Sequence, residues 1–89
     1  MGGAEHDEAR MQVRIRYFAA LREQAGIAEE CFESRAATAA DLYEEVRAAR
    51  ELSLPRSVLR VAINDEFCEW SQRLQPGDRV VFIPPVGGG

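Results

Sequence analysis

The last sixteen residues, 74–89, read LQPGDRVVFIPPVGGG and combine a turn, an apolar strand and a proline pair. Pro76 fixes its own φ and Gly77 accepts positive φ, so QPGD predicts a tight turn. The run RVVFI that follows is apolar at almost every position, which is typical of a strand in the interior of a sheet. Pro84 and Pro85 then end this strand, because proline cannot donate a hydrogen bond to a neighbouring strand.

Three glycines at residues 87–89 follow this strand almost directly. Because glycine has no Cβ, such a tail can enter a narrow channel that side chains would block. The four residues beyond Pro85 reach about 13–14 Å when extended, and the proline pair stiffens their base. The carboxylate of Gly89 is therefore a candidate reactive group that an enzyme activates with ATP for attack by sulfur or an amine. A frayed terminus without function is the alternative.

Three other segments have the pattern of strands. Residues 11–18, MQVRIRYF, alternate between apolar and charged residues, which predicts a half-buried strand. Phe18 breaks this alternation and places an apolar group on the second face. Residues 29–34, EECFES, predict a second strand, and residues 58–64, VLRVAIN, predict a third. The sequence NDE then turns the chain into a short strand around Phe67.

Two segments predict helices. Residues 19–26, AALREQAG, are rich in helix formers and place Gly26 where a helix ends. Thr38 is a good N-cap for a second helix, with Asp41 in its first turn. We expect the apolar stripe of that helix to pack on the sheet; it consists of Ala39, Leu42, Val46 and Ala49. These elements predict an α+β domain, a mixed sheet of about five strands on one main helix plus a short helix.

The composition narrows the classes of function. A chain of 89 residues with 46% hydrophobic residues fits one small domain. We divide it into a flexible N-terminal extension at residues 1–10, a folded domain at 11–86 and a glycine tail at 87–89. The formal net charge of −4 disfavours a nucleic-acid partner. With no apolar run long enough for a bilayer and no secretory signal, we expect a cytoplasmic protein without a membrane partner.

The reactive side chains are few. All eleven basic residues are arginine, which excludes Schiff-base chemistry on a lysine of this chain. His6, Cys31 and Cys68 do not have the spacing of a metal site. We expect both cysteines to be buried, reduced thiols. A thiol enzyme is disfavoured, because neither cysteine has a neighbouring histidine or basic cluster to lower its pKa.

The segments VRIRYFAALREQAG, RVAINDEF, LQPGDRVVFIPPV and the terminal GG together resemble the small subunit of molybdopterin synthase. That family consists of sulfur carriers with a ubiquitin-like β-grasp fold, and the resemblance extends over about residues 11 to 89. It implies that an adenylating enzyme uses ATP and magnesium to activate Gly89, and that a sulfur donor then converts it to a thiocarboxylate. The carrier itself binds no cofactor or metal.

The resemblance also implies a partner that contains the catalytic groups. The carrier docks on the large subunit of the synthase in a heterotetramer and donates sulfur to a cyclic pterin phosphate precursor of molybdopterin. Gly88 and Gly89 correspond to the reactive tail, with Gly89 as the attachment point of AMP and sulfur. The residues that correspond to contacts with the large subunit or the adenylating enzyme are Phe18, Arg22, Ile83, Pro84, Pro85, Val86 and Gly87.

Several alternatives stay open on the sequence. The same tail serves carriers for cysteine, thiamine or tRNA thiolation, ubiquitin-like protein modifiers, and a plain interaction module in which it is incidental. Core packing of Phe18 and a solvated helix face for Arg22 compete with their contact roles. Asp65 stands where the family more often has glycine, so this residue is strained or the turn differs. Trp70 either covers the core or widens a contact surface.

Overall fold

The computed structural model of the chain describes residues 10–85. Its elements are β1 (Met11–Tyr17), α1 (Ala19–Ala25), β2 (Glu29–Ser34), α2 (Ala39–Arg50), a 3₁₀ helix (Arg56–Val58), β3 (Arg60–Ile63), β4 (Glu66–Cys68) and β5 (Arg79–Ile83). The strands form one sheet in the order β2-β1-β5-β3-β4. Strands β1 and β5 are parallel, and the other neighbouring pairs are antiparallel. This confirms the predicted mixed sheet with the apolar strand β5 at its centre.

Two predicted segments fall outside this range. The extension at residues 1–10 has only its last residue among those described, and the glycine tail at residues 87–89 has none. Both assignments stay predictions. Within the described range, the third predicted strand is shorter than expected, because residues 56–58 form the 3₁₀ helix and β3 begins at Arg60.

The inner face of the sheet packs against α2 and forms the core. Val13, Ile15 and Tyr17 are buried as the alternation of β1 predicts. The predicted stripe of α2 is wrong at its last member, because Ala49 is exposed. Tyr43, which the prediction omitted, is fully buried with 0% exposure. Its hydroxyl donates a hydrogen bond to the carbonyl oxygen of Leu54 at 2.6 Å, so its polar tip is satisfied inside the core.

The predicted helix ends and the QPGD turn are confirmed. The hydroxyl of Thr38 accepts a hydrogen bond from the backbone N–H of Asp41 at 3.3 Å and caps α2. Helix α1 ends at Gly26 in the left-handed conformation, with φ of 82°. Gly77 has φ of 83°, and the carboxylate of Asp78 accepts a hydrogen bond from the backbone N–H of Gln75 across the turn.

The hairpin between β3 and β4 settles the question raised at Asp65. Asn64 and Asp65 have φ of 52° and 74°, the pattern of a type I′ turn with aspartate at a position that favours glycine. The side chain of Asn64 holds the turn, since it accepts from the backbone N–H of Arg79 and donates to Asp78, each at 3.0 Å. The expected turn therefore forms, with strained backbone at Asp65.

Trp70 covers the core. Its ring is partly buried and stacks on Phe82, with 6.1 Å between the ring centroids. The two cysteines are free thiols, but the prediction that both are buried is wrong. Cys31 is exposed, because pairing with β1 turns its neighbours Glu30 and Phe32 inward and leaves Cys31 on the other face. Cys68 is partly buried.

Candidate functional site

The exit of the chain from β5 is the first part of the site. Strand β5 ends at Ile83 between β1 and β3, and Pro84 is buried while Pro85 is exposed. The chain therefore leaves the central strand from an anchored position. Four of the residues assigned to this site lie outside the described range, so their roles stay predictions: Val86, Gly87, Gly88 and Gly89.

The second part is the outer face of the sheet, the face opposite α2. Strand alternation and register place twelve residues on it: Gln12, Arg14, Arg16, Glu29, Cys31, Glu33, Arg60, Ala62, Phe67, Arg79, Val81 and Ile83. Ile83 is half-buried beside the chain exit and lies in register with Arg60. Phe67 on β4 is 59% exposed. The outer face thus presents an apolar centre next to the point where the chain leaves the sheet.

Phe18 borders this face, and core packing does not explain it. The residue is 40% exposed and occupies the N-cap position of α1 without a side-chain capping bond. The next residue, Ala19, has φ of 51°, which is strained for any residue other than glycine. The backbone is therefore held in an unfavourable conformation beside an exposed aromatic ring, a combination that clusters at functional sites.

Arg22 lies one turn further along α1. Its backbone N–H donates to the carbonyl oxygen of Phe18 at 3.4 Å. The side chain is exposed, and no carboxylate of residues 10–85 lies within salt-bridge distance of it. Two hydrogen bonds between Gln24 and Ser53, at 2.8 and 2.9 Å, tie α1 to the loop after α2. The structure thus places Arg22 on the same helix as Phe18, and its contact role stays a prediction.

Arginines lie against the exposed aromatic rings of this surface. The sequence did not predict these contacts. The guanidinium of Arg16 lies 5.5 Å from the ring centroid of Phe18, and that of Arg60 lies 4.4 Å from the ring of Phe67. Both distances are in the range of cation–π interactions. The available signal was the recurrence of arginine at alternate positions of β1, which we interpreted only as a solvent-facing side of the strand.

A polar network behind β1 fixes the strand that leads to Phe18. The Arg50 guanidinium donates two hydrogen bonds to Glu30, and the Tyr17 hydroxyl donates a third. Burial raises the pKa of Glu30, but the hydrogen bonds from Arg50 and Tyr17 and the Arg50 charge outweigh burial and lower it. Burial raises the pKa of Tyr17, and its bond to Glu30 adds to this. The network joins β1, β2 and the end of α2.

Other chemistry is sparse in the described part of the chain. No group of three or more His, Cys, Asp and Glu side chains between residues 10 and 85 could hold a metal ion. Burial raises the pKa of the Cys68 thiol, which makes it a weak nucleophile at neutral pH. No helix in the same range is long and apolar enough to cross a membrane. What the described residues do offer is a contact surface beside an anchored chain exit.

Comparison with known proteins supports a common family. The model of the ThiS family matches residues 15–89. The molybdopterin synthase sulfur carrier subunit of Chlamydomonas reinhardtii is 36% identical over 83 residues, which cover 89% of this chain and 100% of that protein. The similarity therefore extends over nearly the whole length of both chains.

Solved structures share the fold. A putative molybdopterin converting factor, subunit 1, from Pyrococcus furiosus is 30% identical with a TM-score of 0.71, over 85% of this chain and 99% of that one. The complex of subunits 1 and 2 of the molybdopterin-converting factor from Helicobacter pylori gives 28% identity and a TM-score of 0.61, over 89% and 100% of the chains. These similarities confirm the predicted ubiquitin-like β-grasp fold.

Proposed function

The chain belongs to the ThiS family, and from this membership we propose that it is a sulfur carrier for molybdopterin synthesis that uses Gly89 as its reactive residue. One structural observation supports the proposal most directly. The central strand β5 runs into a buried proline, Pro84, only a few residues before the glycines. A carboxylate on so short an arm stays close to an ordered surface, which is what a partner enzyme needs to position it.

The proposed reaction consumes ATP on a partner enzyme. One oxygen of the Gly89 carboxylate attacks the α-phosphate of ATP, pyrophosphate leaves, and an acyl-adenylate forms. Hydrosulfide released by the sulfur donor then attacks the acyl carbon, AMP leaves with the bonding electron pair, and a thiocarboxylate remains. Magnesium on the adenylating enzyme offsets the charge of the phosphates. The carrier contributes the tail, and its folded part directs the tail into the partner.

The thiocarboxylate then donates its sulfur to the pterin precursor in the active site of a large synthase subunit. The Helicobacter pylori structure is a complex of subunits 1 and 2 of the molybdopterin-converting factor, which supports a large subunit as the partner here. In the proposal, Phe18 and Ile83 contact that subunit, Arg22 contacts it or the adenylating enzyme, and residues 84–87 lead into its active site. Two carriers at opposite ends of a large-subunit dimer form the heterotetramer. A charged substitution at Phe18 or Ile83 should weaken this binding without unfolding the carrier.

Intact-mass spectrometry tests the carrier proposal. The protein is purified untagged at its C-terminus from its own cells under reducing conditions. A fraction heavier by one oxygen-to-sulfur exchange, mapped to Gly89, is expected. Incubation with the host's adenylating enzyme, ATP, magnesium and a sulfur source should increase this fraction, and a variant lacking Gly89 should stay folded and unmodified. An intact terminus that stays unmodified under these conditions would overturn the proposal.

A second experiment separates the pathways. The thiocarboxylated protein is mixed with the large subunit and the cyclic pterin phosphate precursor, and dithiolene formation is measured. Molybdopterin formation is expected, with loss of sulfur from Gly89. Thiocarboxylate that forms but is not consumed would favour a carrier for cysteine, thiamine or tRNA thiolation. Amide-linked adducts of Gly89 on other proteins would favour a ubiquitin-like modifier.

A further inference from the structure

One corner of the outer face carries three arginines to which the proposed function assigns no contact of their own. Arg14, Arg16 and Arg79, which we call the arginine corner, lie on the second half of β1 and at the start of β5, where Arg14 is in register with Arg79. With Glu29 and Asp65 they line a depression with a volume of about 410 Å³. Residues from β1, β2, β5 and the β3–β4 turn therefore meet at one place.

The acidic groups of the corner pair only weakly with its arginines. Arg14 and Arg16 share the carboxylate of Glu29, at N···O distances of 3.6 and 3.8 Å. Charge-assisted hydrogen bonds are shorter, at about 2.7–2.9 Å. Arg79 pairs with Asp65 at 2.9 Å, but the Asp65 side chain is 81% exposed. Exposed pairs of this kind are weak and are screened by salt, so the carboxylates of a partner can replace them.

The whole outer face is positively charged on an acidic protein. Besides the corner it includes Arg60, which has no carboxylate partner within residues 10–85. Glu33 at the far end of β2 does not change the balance, because it pairs with Arg10 at 3.3 Å. Residues 10–85 contain 11 arginines and 12 carboxylates, a formal charge of −1. The outer face, with four arginines against Glu29 and Glu33, is more positive than this described part as a whole, and the charge distribution favours an acidic partner.

The position of the corner connects it to the docking surface. Arg79 and Ile83 are the two ends of β5, about 13 Å apart at the rise of a strand. An interface of ordinary size, about 800 Å² on each partner, spans that distance. A partner that contacts Ile83 and accepts the tail is therefore large enough to cover the corner as well. Covering guanidinium groups without new carboxylates would leave desolvated charge unpaired, which is strongly unfavourable.

We propose that the large subunit places Asp or Glu carboxylates against Arg14, Arg16 and Arg79, and that this contact steers the carrier onto the subunit before the tail enters. The inference rests on the proposed function, because it takes the enzyme that accepts the tail as the partner. The corner lies on the folded part of the carrier and not on the tail, so it acts on association and not on the chemistry at Gly89. Steering of this kind raises association rates at low salt and is lost as ionic strength rises.

The test measures association of the full-length carrier with the large subunit of its host by stopped flow, over a series of ionic strengths. The corner variant is Arg14→Gln with Arg79→Gln. The control is Arg35→Gln with Arg73→Gln, which removes equal charge from exposed positions in the loops beside the start of α2. We expect the corner variant to associate about tenfold more slowly at low salt, with a flatter salt dependence. The control should retain the wild-type association and dissociation rates, whereas the corner variant should also dissociate faster, because it leaves carboxylates of the partner unpaired in the interface.

A charge-preserving variant separates the effect of lost charge from the effect of a disturbed fold. Arg14→Lys with Arg79→Lys keeps the field and should retain most of the association rate. Urea unfolding of each variant establishes that the fold is intact. If the glutamine double variant unfolds, the association rate of the single variant Arg14→Gln is measured instead, and we expect it to be about threefold slower than that of the wild type.

Several outcomes would overturn the inference. Unchanged association by the corner variant, or an equal loss in the control, removes the steering role. If inorganic phosphate or ATP slows association of the wild type but not of the corner variant, the corner would be a site for small anions. A wild-type dimer in light scattering that the corner variant cannot form would indicate a second copy of this chain. Mass spectrometry at Gly89 separates this failure from failure of the carrier proposal, which predicts the thiocarboxylate in every variant.

Discussion

The inner and outer faces of the sheet are built from the same alternating strands, but their polar groups differ in how well they are hydrogen-bonded within the chain. On the inner face, Glu30 accepts hydrogen bonds from both Tyr17 and Arg50. Among described side chains, no fully buried nitrogen or oxygen lacks a partner. On the outer face, Arg14 and Arg16 share one distant carboxylate. The chain thus completes one face by itself and leaves the other to be completed by a partner.

Phe82 tests the inner face and gives the largest expected effect. Its ring is 0% exposed and lies 5.0 Å from the ring of Tyr43, centroid to centroid. We expect Phe82→Ala to lower the free energy of unfolding by about 3–5 kcal/mol, because it removes a buried ring and leaves a cavity. Urea unfolding followed by Trp70 fluorescence measures this. A loss below about 1 kcal/mol would show that the core does not depend on this ring.

Glu30 tests the polar network of the same face. We expect Glu30→Gln to lower the free energy of unfolding by about 1–3 kcal/mol at neutral pH, because the Arg50 guanidinium loses its charged acceptor. The folded-state pKa of Glu30 is lowered. Its contribution is therefore present above the unfolded value of about 4.3 and is lost as pH falls through the folded value. The difference between wild type and variant should narrow in that acid range.

The control for this pH dependence is Glu44→Gln, which changes an exposed residue of the same helix that carries Arg50. Its urea unfolding curves should follow the wild type at every pH. A gap between wild type and Glu30→Gln that stays constant into the acid range would contradict the assigned pKa direction.

Phe67 is the counterpart of Phe82 on the outer face. Because it is 59% exposed, Phe67→Ala should change the free energy of unfolding by less than about 0.5 kcal/mol. Its affinity for the large subunit should fall about tenfold, as expected for an exposed aromatic residue that the partner buries. Calorimetric titration measures the affinity, with Phe67→Leu as a variant that keeps an apolar contact. If Phe67→Ala unfolds as easily as Phe82→Ala, the two faces do not differ as described.

The sequence predicted the elements better than the surfaces they form together. The apolar run of β5 and the alternation of β1 predicted the positions of these strands in the sheet, because the burial of each residue follows from the local sequence of its strand. The arginine corner depends on the register between β1 and β5, and no local pattern reveals it. The bonds of Glu30 to Tyr17 and Arg50 span 13 and 20 residues of sequence. Such contacts follow from tertiary packing and not from spacing along the chain.

The errors have similar causes. Tyr43 has the helical spacing of the buried face, whereas Ala49 lies at the edge of that face and is exposed. The prediction omitted Tyr43 because of its hydroxyl, which the Leu54 carbonyl from the following loop satisfies. Periodicity alone could not supply that acceptor. The exposure of Cys31 follows from the pairing of β2 with β1, which selects the inward face of a strand containing polar and apolar residues on both sides. Interactions outside the segment decided both cases.

Ala19 and Glu51 allow a comparison of backbone strain at two helix ends, and only Ala19 adjoins Phe18. Their φ values are 51° and 56°. We expect Ala19→Gly and Glu51→Gly each to raise the free energy of unfolding by about 1 kcal/mol, because glycine accepts positive φ without strain. Only Ala19→Gly should weaken binding of the large subunit, by about two- to threefold, since it frees the backbone that holds Phe18 outward. Equal affinities for the two variants would mean that the strain at Ala19 shapes the helix and does not position the ring.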